Sequence, residues 1–238
     1  MTRNPTPISD TAAVWLSGRH AAAPELTDEQ AELAQAEREA ALREEWHAEQ
    51  RDRRIRARQQ HTPARYRTAE LDDPQVKAWC DRLLPARRAL VSGTVYGDSL
   101  VLLGATGRGK THQAFGALRY LVEAGLPNTI SVATTADLYA ELRPRAGVDS
   151  EAVFTGYAQV GLLMLDDLGA AKSSEWVEEI NYRLINHRYN NALPTVLTSN
   201  VPPAQLAAHL GERVASRLTE MATTVVLKGT DRRRGQCP

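Results

Sequence analysis

Eight consecutive residues, Gly104, Ala105, Thr106, Gly107, Arg108, Gly109, Lys110 and Thr111, follow the spacing G-x-x-x-x-G-K-T. Glycines at these positions let the backbone turn so that successive N–H groups point inward and cradle phosphate oxygens. A helix beginning at the lysine adds the partial positive charge of its N-terminus. In such a loop Lys110 reaches the β- and γ-phosphates of a nucleoside triphosphate, and the Thr111 hydroxyl ligates Mg2+. All eight residues are assigned to nucleotide binding, with ATP and Mg2+ as the expected ligands. A second run, Gly161-Leu-Leu-Met-Leu-Asp166-Asp167, is an apolar strand ending in two carboxylates. Asp166 is expected to serve the metal, directly or through water, and Asp167 to polarise the attacking water. A third, Pro194-Thr-Val-Leu-Thr-Ser-Asn200, also ends in polar groups. Asn200 is the candidate for orienting that water, although a turn cap would explain an asparagine there as well.

One further pair has a chemical reading. Arg213 and Arg217 are four residues apart and project from one helix face, while Val214, Leu218 and Met221 anchor a neighbouring face. An arginine offered by one subunit to the γ-phosphate of the next stabilises charge that develops in the transition state. The alternative is an ordinary pair of surface arginines.

These groups need a scaffold, and hydrophobic patterning supplies one. Ser99-Leu-Val-Leu-Leu103 is a short apolar run suited to a central parallel strand, and it feeds directly into the phosphate loop. Ala114, Ala117, Leu118, Leu121 and Val122 then share one face of a helix that Gly125 and Pro127 stop. Further strands are expected at 129–133, 161–166, 194–198 and 223–228. Helices are expected at about 74–92, 136–143, 174–191, 203–210 and 211–221. Strand–helix alternation of this kind implies an α/β fold with a parallel sheet covered on both faces.

With 238 residues the chain holds one substantial domain and an appendage. Its formal net charge of zero excludes a global basic field, so any nucleic-acid contact must come from local patches. Cys80 and Cys237 form no disulfide framework and no four-ligand zinc spacing. The start of the chain lacks a signal-peptide core, and no run approaches the ~18 apolar residues of a membrane span, so a cytoplasmic location and no membrane partner are expected. Residues 1–26 lack periodicity and are expected to be disordered. Thr27-Asp-Glu-Gln30 reads as a capping box opening a charged helix within 27–62, which ends at Thr62-Pro63. Its large apolar residues are few, and its end, 51–58, is basic. Either a solvated helix or a partner-binding arm fits. Residues 63–238 are the expected ATPase domain.

Over residues 63–235 the sequence closely resembles the bacterial helicase loaders of the DnaC/DnaI type and the related transposition helper ATPase IstB. The stretches that carry the resemblance are Pro63–Tyr66, Gly104–Thr111, Leu165–Gly169, Ser174–Trp176, Leu193–Asn200, Gly211–Leu218 and Gly229–Arg233. The resemblance implies an AAA+ P-loop core with a five-stranded parallel sheet in the order 5-1-4-3-2 between helices. In that class the position of Asn200 is called sensor 1. It also implies ATP hydrolysis, ATP-dependent self-association into an oligomer, contact with single-stranded DNA, and delivery of a replicative DnaB-type helicase. Arg217 becomes the better arginine-finger candidate, with Arg213 close behind. An IstB-like helper acting with a transposase on double-stranded DNA is the alternative.

The departures are informative. The last strand falls close to the end of the sequence, so no C-terminal lid is expected, and the N-terminal extension is a charged helix without a zinc module. Asp167 stands where AAA+ proteins at large carry Glu. Its shorter side chain sets the carboxylate back from the water and suggests slow turnover. Lys172, Ser174 and Trp176 lie near where loaders touch single-stranded DNA. Trp176 either stacks on a base or joins Ile180 and Leu184 in a core stripe at helical spacing.

Overall fold

The computed structural model describes residues 33, 35–42, 44, 45, 49, 62–84, 96–126, 129–170 and 174–229. The chain divides into two compact units, Met1–Gln50 and Arg51–Pro238. In the first, the described residues are helical and exposed, and Gln35 donates a side-chain hydrogen bond to Glu39 one turn on. The expected disorder of 1–26, the capping box at Thr27 and the basic run 51–58 lie outside the described residues, as do Lys172 and the arginines at 232–234.

Five strands of the second unit form one sheet: β1 (Ser99–Leu103), β2 (Ile130–Thr134), β3 (Leu162–Asp166), β4 (Thr195–Ser199) and β5 (Ala222–Val226). Their order is β2-β3-β4-β1-β5 and every pairing is parallel, the order implied by the resemblance read from the other edge. Alternation along the strands splits the core into two layers. Leu100, Leu102, Leu162, Met164 and Val196 face one side, with helices α1 (Pro74–Leu83) and α2 (Lys110–Glu123). Val101, Leu103, Leu163, Leu165 and Leu197 face the other. There they meet α3 (Thr135–Leu142), α4 (Ser150–Gln159), α5 (Glu175–Asn190), α6 (Leu206–Leu210) and α7 (Glu212–Met221). Strand β4 is buried although it carries Thr195, Thr198 and Ser199, while β1 and β3, covered on both faces, read as near-continuous apolar runs. That is why β1 and β3 were visible from composition alone.

Three elements differ from expectation. Helix α1 is described only to Leu83 of the expected 74–92, and residues 85–95 lie outside the description. The segment 203–210 is a short 3-10 turn, Pro203–Gln205, followed by α6. Helix α4 was not foreseen. It buries only Phe154 and Ala158 and contains Gly156, so its periodicity is faint, yet Asp149 caps it by accepting from the N–H groups of Glu151 and Ala152. The described residues reach Gly229, three beyond β5, and include no helical layer after that strand.

A strap formed by residues 62–73 crosses the outer face of α2. Gly116 permits the close approach, since a Cβ there would lie 2.6 Å from the Glu70 carbonyl oxygen. Polar side chains of α2 then fasten the strap's backbone. His112 Nε2 accepts from the Glu70 N–H at 3.2 Å, and the buried Gln113 accepts from the N–H groups of both Asp72 and Asp73 at 3.1 Å. Tyr66 stacks on Phe115 with ring centroids 4.8 Å apart and planes nearly parallel.

Candidate nucleotide site

The C-terminal ends of β1, β3 and β4 converge on a cleft of about 710 Å³. From the phosphate loop it is lined by Thr106, Gly107, Gly109, Lys110 and Thr111. Gly109 turns the chain into α2 with φ of +85°, a left-handed conformation that glycine adopts without penalty. Helix α2 therefore starts at Lys110 with its N-terminus at the cleft, as the motif requires. Lys110 is only 5% exposed. Its Nζ donates to the carbonyls of Gly104 at 2.8 Å and Ala105 at 3.1 Å and to Asn200 Oδ1 at 2.5 Å. Ala105 and Arg108 contribute to the turn itself, the Arg108 N–H donating to the Ala105 carbonyl at 3.4 Å.

The two carboxylates take different surroundings although they are adjacent. Asp166, the last residue of β3, accepts from Thr111 Oγ1 at 2.9 Å and from Thr198 Oγ1 at 2.6 Å. Withdrawal from water holds its carboxyl above the usual carboxylate pKa, and the charge of Asp167 pushes the same way. The hydroxyl bonds from Thr198 and Thr111, and the Lys110 charge, oppose the rise. Asp167 is exposed and bends out of the sheet with φ of +59°. Three partners fix it there: its N–H donates to Thr198 Oγ1 at 3.0 Å, its carbonyl accepts from Thr135 at 3.0 Å, and its Oδ1 accepts from Asn200 Nδ2 at 3.3 Å. Asn200 thus bridges Lys110 and Asp167, the two groups expected to act on the γ-phosphate side.

Mg2+ fits this donor set. It takes hard oxygen ligands and is commonly held by one or two protein oxygens together with substrate phosphates and waters. Thr111 and Asp166 already stand side by side, and a cation there would relieve the cost of ionising a carboxylate withdrawn from water. Among the described residues no group of three or more His, Cys, Asp and Glu could hold a metal ion.

The strap supplies the opposite wall through Arg65, Tyr66, Thr68 and Asp72, with His112 beside Thr111. Sequence reasoning missed these contributors. Pro63–Tyr66 carried part of the family resemblance, but its return to the loop depends on the Gly116 contact some fifty residues away, which no local pattern announces.

Arg213 and Arg217 do not line this cleft. They sit together on α7, over α5. The Arg217 Nε donates to Asn186 Oδ1 at 2.9 Å and its Nη1 to the Arg213 carbonyl at 3.1 Å. Its guanidinium carbon lies 4.9 Å from the Tyr182 ring centroid and 5.8 Å from that of Tyr189, and Arg213 also lies over Tyr182 at 5.8 Å. Ser174 caps α5 by accepting from the Val177 N–H. Trp176 is half-buried and meets Tyr139 edge-on at 6.0 Å within the second core layer, so much of its ring is engaged in packing.

A parallel sheet in this order, with a phosphate loop after β1, the interior strand beside the β5 edge, and paired carboxylates at the end of β3, defines a P-loop nucleotide-binding core of the AAA+ class. The family model for IstB-like ATP binding proteins matches residues 11–236, and the chain belongs to that family. It is also similar to the replicative helicase loader DnaC of Escherichia coli strain K12, with 25% identity over 123 residues. That match covers 50% of this chain and 49% of the relative, so the chain spans about half the length of the curated relatives it matches. Among solved structures, the DnaC helicase loader superposes with a TM-score of 0.58 at 26% identity, covering 70% of this chain and all of that one. DnaI superposes with a TM-score of 0.57 at 25% identity, covering 72% and 94%.

Proposed function

We propose that the chain is an ATPase that works as an assembly of identical subunits on single-stranded DNA and delivers a replicative hexameric helicase of the DnaB type. ATP binds with its phosphates in the loop Gly104–Thr111, and Lys110 neutralises the β- and γ-phosphates. Thr111 and Asp166 hold Mg2+, which supplies charge neutralisation of the phosphate oxygens. Asp167 accepts a proton from the attacking water, and Asn200 orients that water through its link to Asp167. Arg217, seconded by Arg213, serves the nucleotide of a neighbouring subunit. Lys172, Ser174 and Trp176 are proposed to border the DNA path. The protein acts in the cytoplasm, and among the described residues no helix is long and apolar enough to cross a membrane.

The observation that carries this reading is the separation of Arg217 from the cleft. Lysine, hydroxyl, carboxylates and sensor asparagine meet around one chain's cleft, while the arginine is presented on α7 by Asn186 and Tyr182. An arginine placed in this way would act on the nucleotide of a second copy. The identity of the cargo rests on the DnaC likeness. The family match favours a second reading, a transposition helper that acts with a transposase on double-stranded DNA. Tagged full-length protein, mixed with a replicative helicase and with a transposase from the same genome, should retain the helicase in an ATP-dependent manner. Retention of the transposase alone would replace the first reading with the second.

A further inference from the structure

Thr198 lies near the end of β4, fully buried, between the two acidic residues of the cleft. Its hydroxyl has a single proton, and the geometry fixes where that proton goes. The Asp167 N–H occupies the oxygen as a donor at 3.0 Å, so the proton points to Asp166 Oδ1 at 2.6 Å. One oxygen therefore ties the backbone of Asp167 to the carboxylate of Asp166. The Thr198 carbonyl continues the clamp by accepting from the Leu168 N–H at 2.8 Å. The next side chain along, Ser199, donates to the Leu168 carbonyl at 2.6 Å. Asp167 needs such a clamp, because φ of +59° is a conformation that a non-glycine residue holds only when its surroundings over-determine it.

The two hydroxyls on Asp166 are not equivalent. Thr111 can keep its proton on Asp166 and still offer a lone pair to a cation. Thr198 is pinned from behind by Asp167 and keeps its bond. We infer that Thr198 is a positioning residue that locks Asp166 and Asp167 into one rigid unit, so that metal binding and water activation share a single hydroxyl. The inference rests on the proposed roles of Asp166 and Asp167.

Three full-length variants test it, with a methylanthraniloyl-labelled ATP titrated in EDTA and in Mg2+, and with turnover followed as Mg2+ is raised. T198V keeps the β-branched shape of the strand and deletes the hydroxyl. It should bind the labelled nucleotide normally in EDTA. Its Mg2+ midpoint should rise by about 10- to 100-fold, the usual cost of removing a residue that orients a metal ligand. Turnover at saturating Mg2+ should fall as well, because Asp167 loses its clamp. T198S, which keeps the hydroxyl, should retain both quantities, whereas a purely packing role would leave T198V near the wild type and impair T198S, which loses the methyl. D166N is the control for the underlying roles. If D166N shifts the Mg2+ midpoint and T198V matches the wild type, Thr198 has no positioning role. If D166N leaves the midpoint unchanged, the metal assignment itself fails and the inference falls with it. Should T198V not fold by circular dichroism, T198A removes the same hydroxyl without the valine's second methyl and carries the comparison.

Discussion

Lys110 is aimed before it acts. Two loop carbonyls and Asn200 surround its ammonium group, so the charge has little freedom to swing away from the phosphate loop. In K110A two charge-assisted bonds to phosphate are lost, each worth roughly 1.5 kcal/mol or more. The dissociation constant for Mg-ATP should therefore rise by about 100-fold or more. An unchanged constant by calorimetry would remove the phosphate-loop assignment. Asp167 allows a cleaner separation of binding from chemistry. D167N is nearly isosteric and keeps an oxygen to face Asn200, but an amide accepts a proton poorly. ATP binding should persist while turnover drops by roughly 10²- to 10⁴-fold, the range for a lost general base. Turnover at the wild-type rate would place the base elsewhere. At this scale the sequence was legible wherever one short motif holds all the partners, as in Gly104–Thr111. Thr198 was not legible. Its partners Asp166 and Asp167 lie some thirty residues away, and a strand ending in Thr-Ser-Asn says only that polar groups collect there.

Elements are held in register by polar contacts that patterning does not reveal. Arg188 on α5 is completely buried, and no carboxylate is among the partners described for it. Its guanidinium donates to Thr195 Oγ1 and to the carbonyls of Tyr157, Ala158, Val160 and Pro194. These oxygens belong to the end of α4, the turn into β3 and the start of β4. One side chain thus sets the depth at which the two acid- and sensor-bearing strands enter the sheet. Burial pulls its pKa down to about 9. The desolvated cation is tolerated because all three guanidinium nitrogens donate to oxygens. R188M keeps most of the volume and strands those acceptors without a donor. It should lose on the order of 3 kcal/mol or more of unfolding free energy in urea. A loss below about 1 kcal/mol would show that water or a shifted backbone satisfies these carbonyls instead. From sequence, an arginine near a helix C-terminus reads as a surface residue that answers the helix dipole. Strands β1 and β3 were legible because covering on both faces makes them almost continuously apolar, whereas α4 and the strap were not, being fixed by a cap and by contacts with α2.

The molecule as a whole presents a nucleotide cleft on one region of its surface and an arginine–tyrosine cluster on another. Arg213 and Arg217 do not line the cleft, and the proposed chemistry would have them serve a neighbouring subunit. The strand order was readable through the family resemblance, because AAA+ cores place their motifs on strand ends in a fixed sequence order. What the N-terminal helix binds was not readable, since its composition suits a solvated helix as well as an arm. If Arg217 acts on a neighbour's nucleotide, R217A should bind ATP normally and hydrolyse it on the order of 10³-fold more slowly or worse. Activity per subunit should also climb with protein concentration. The decisive measurement mixes two inactive proteins, K110A, which lacks the phosphate-binding lysine but keeps its arginine, and R217A, which binds ATP but lacks the arginine. Steady-state ATP hydrolysis of the mixture should recover part of the wild-type rate, because an intact arginine then faces an occupied cleft. A mixture that co-assembles by light scattering yet stays as inactive as its two components would contradict catalysis shared between subunits.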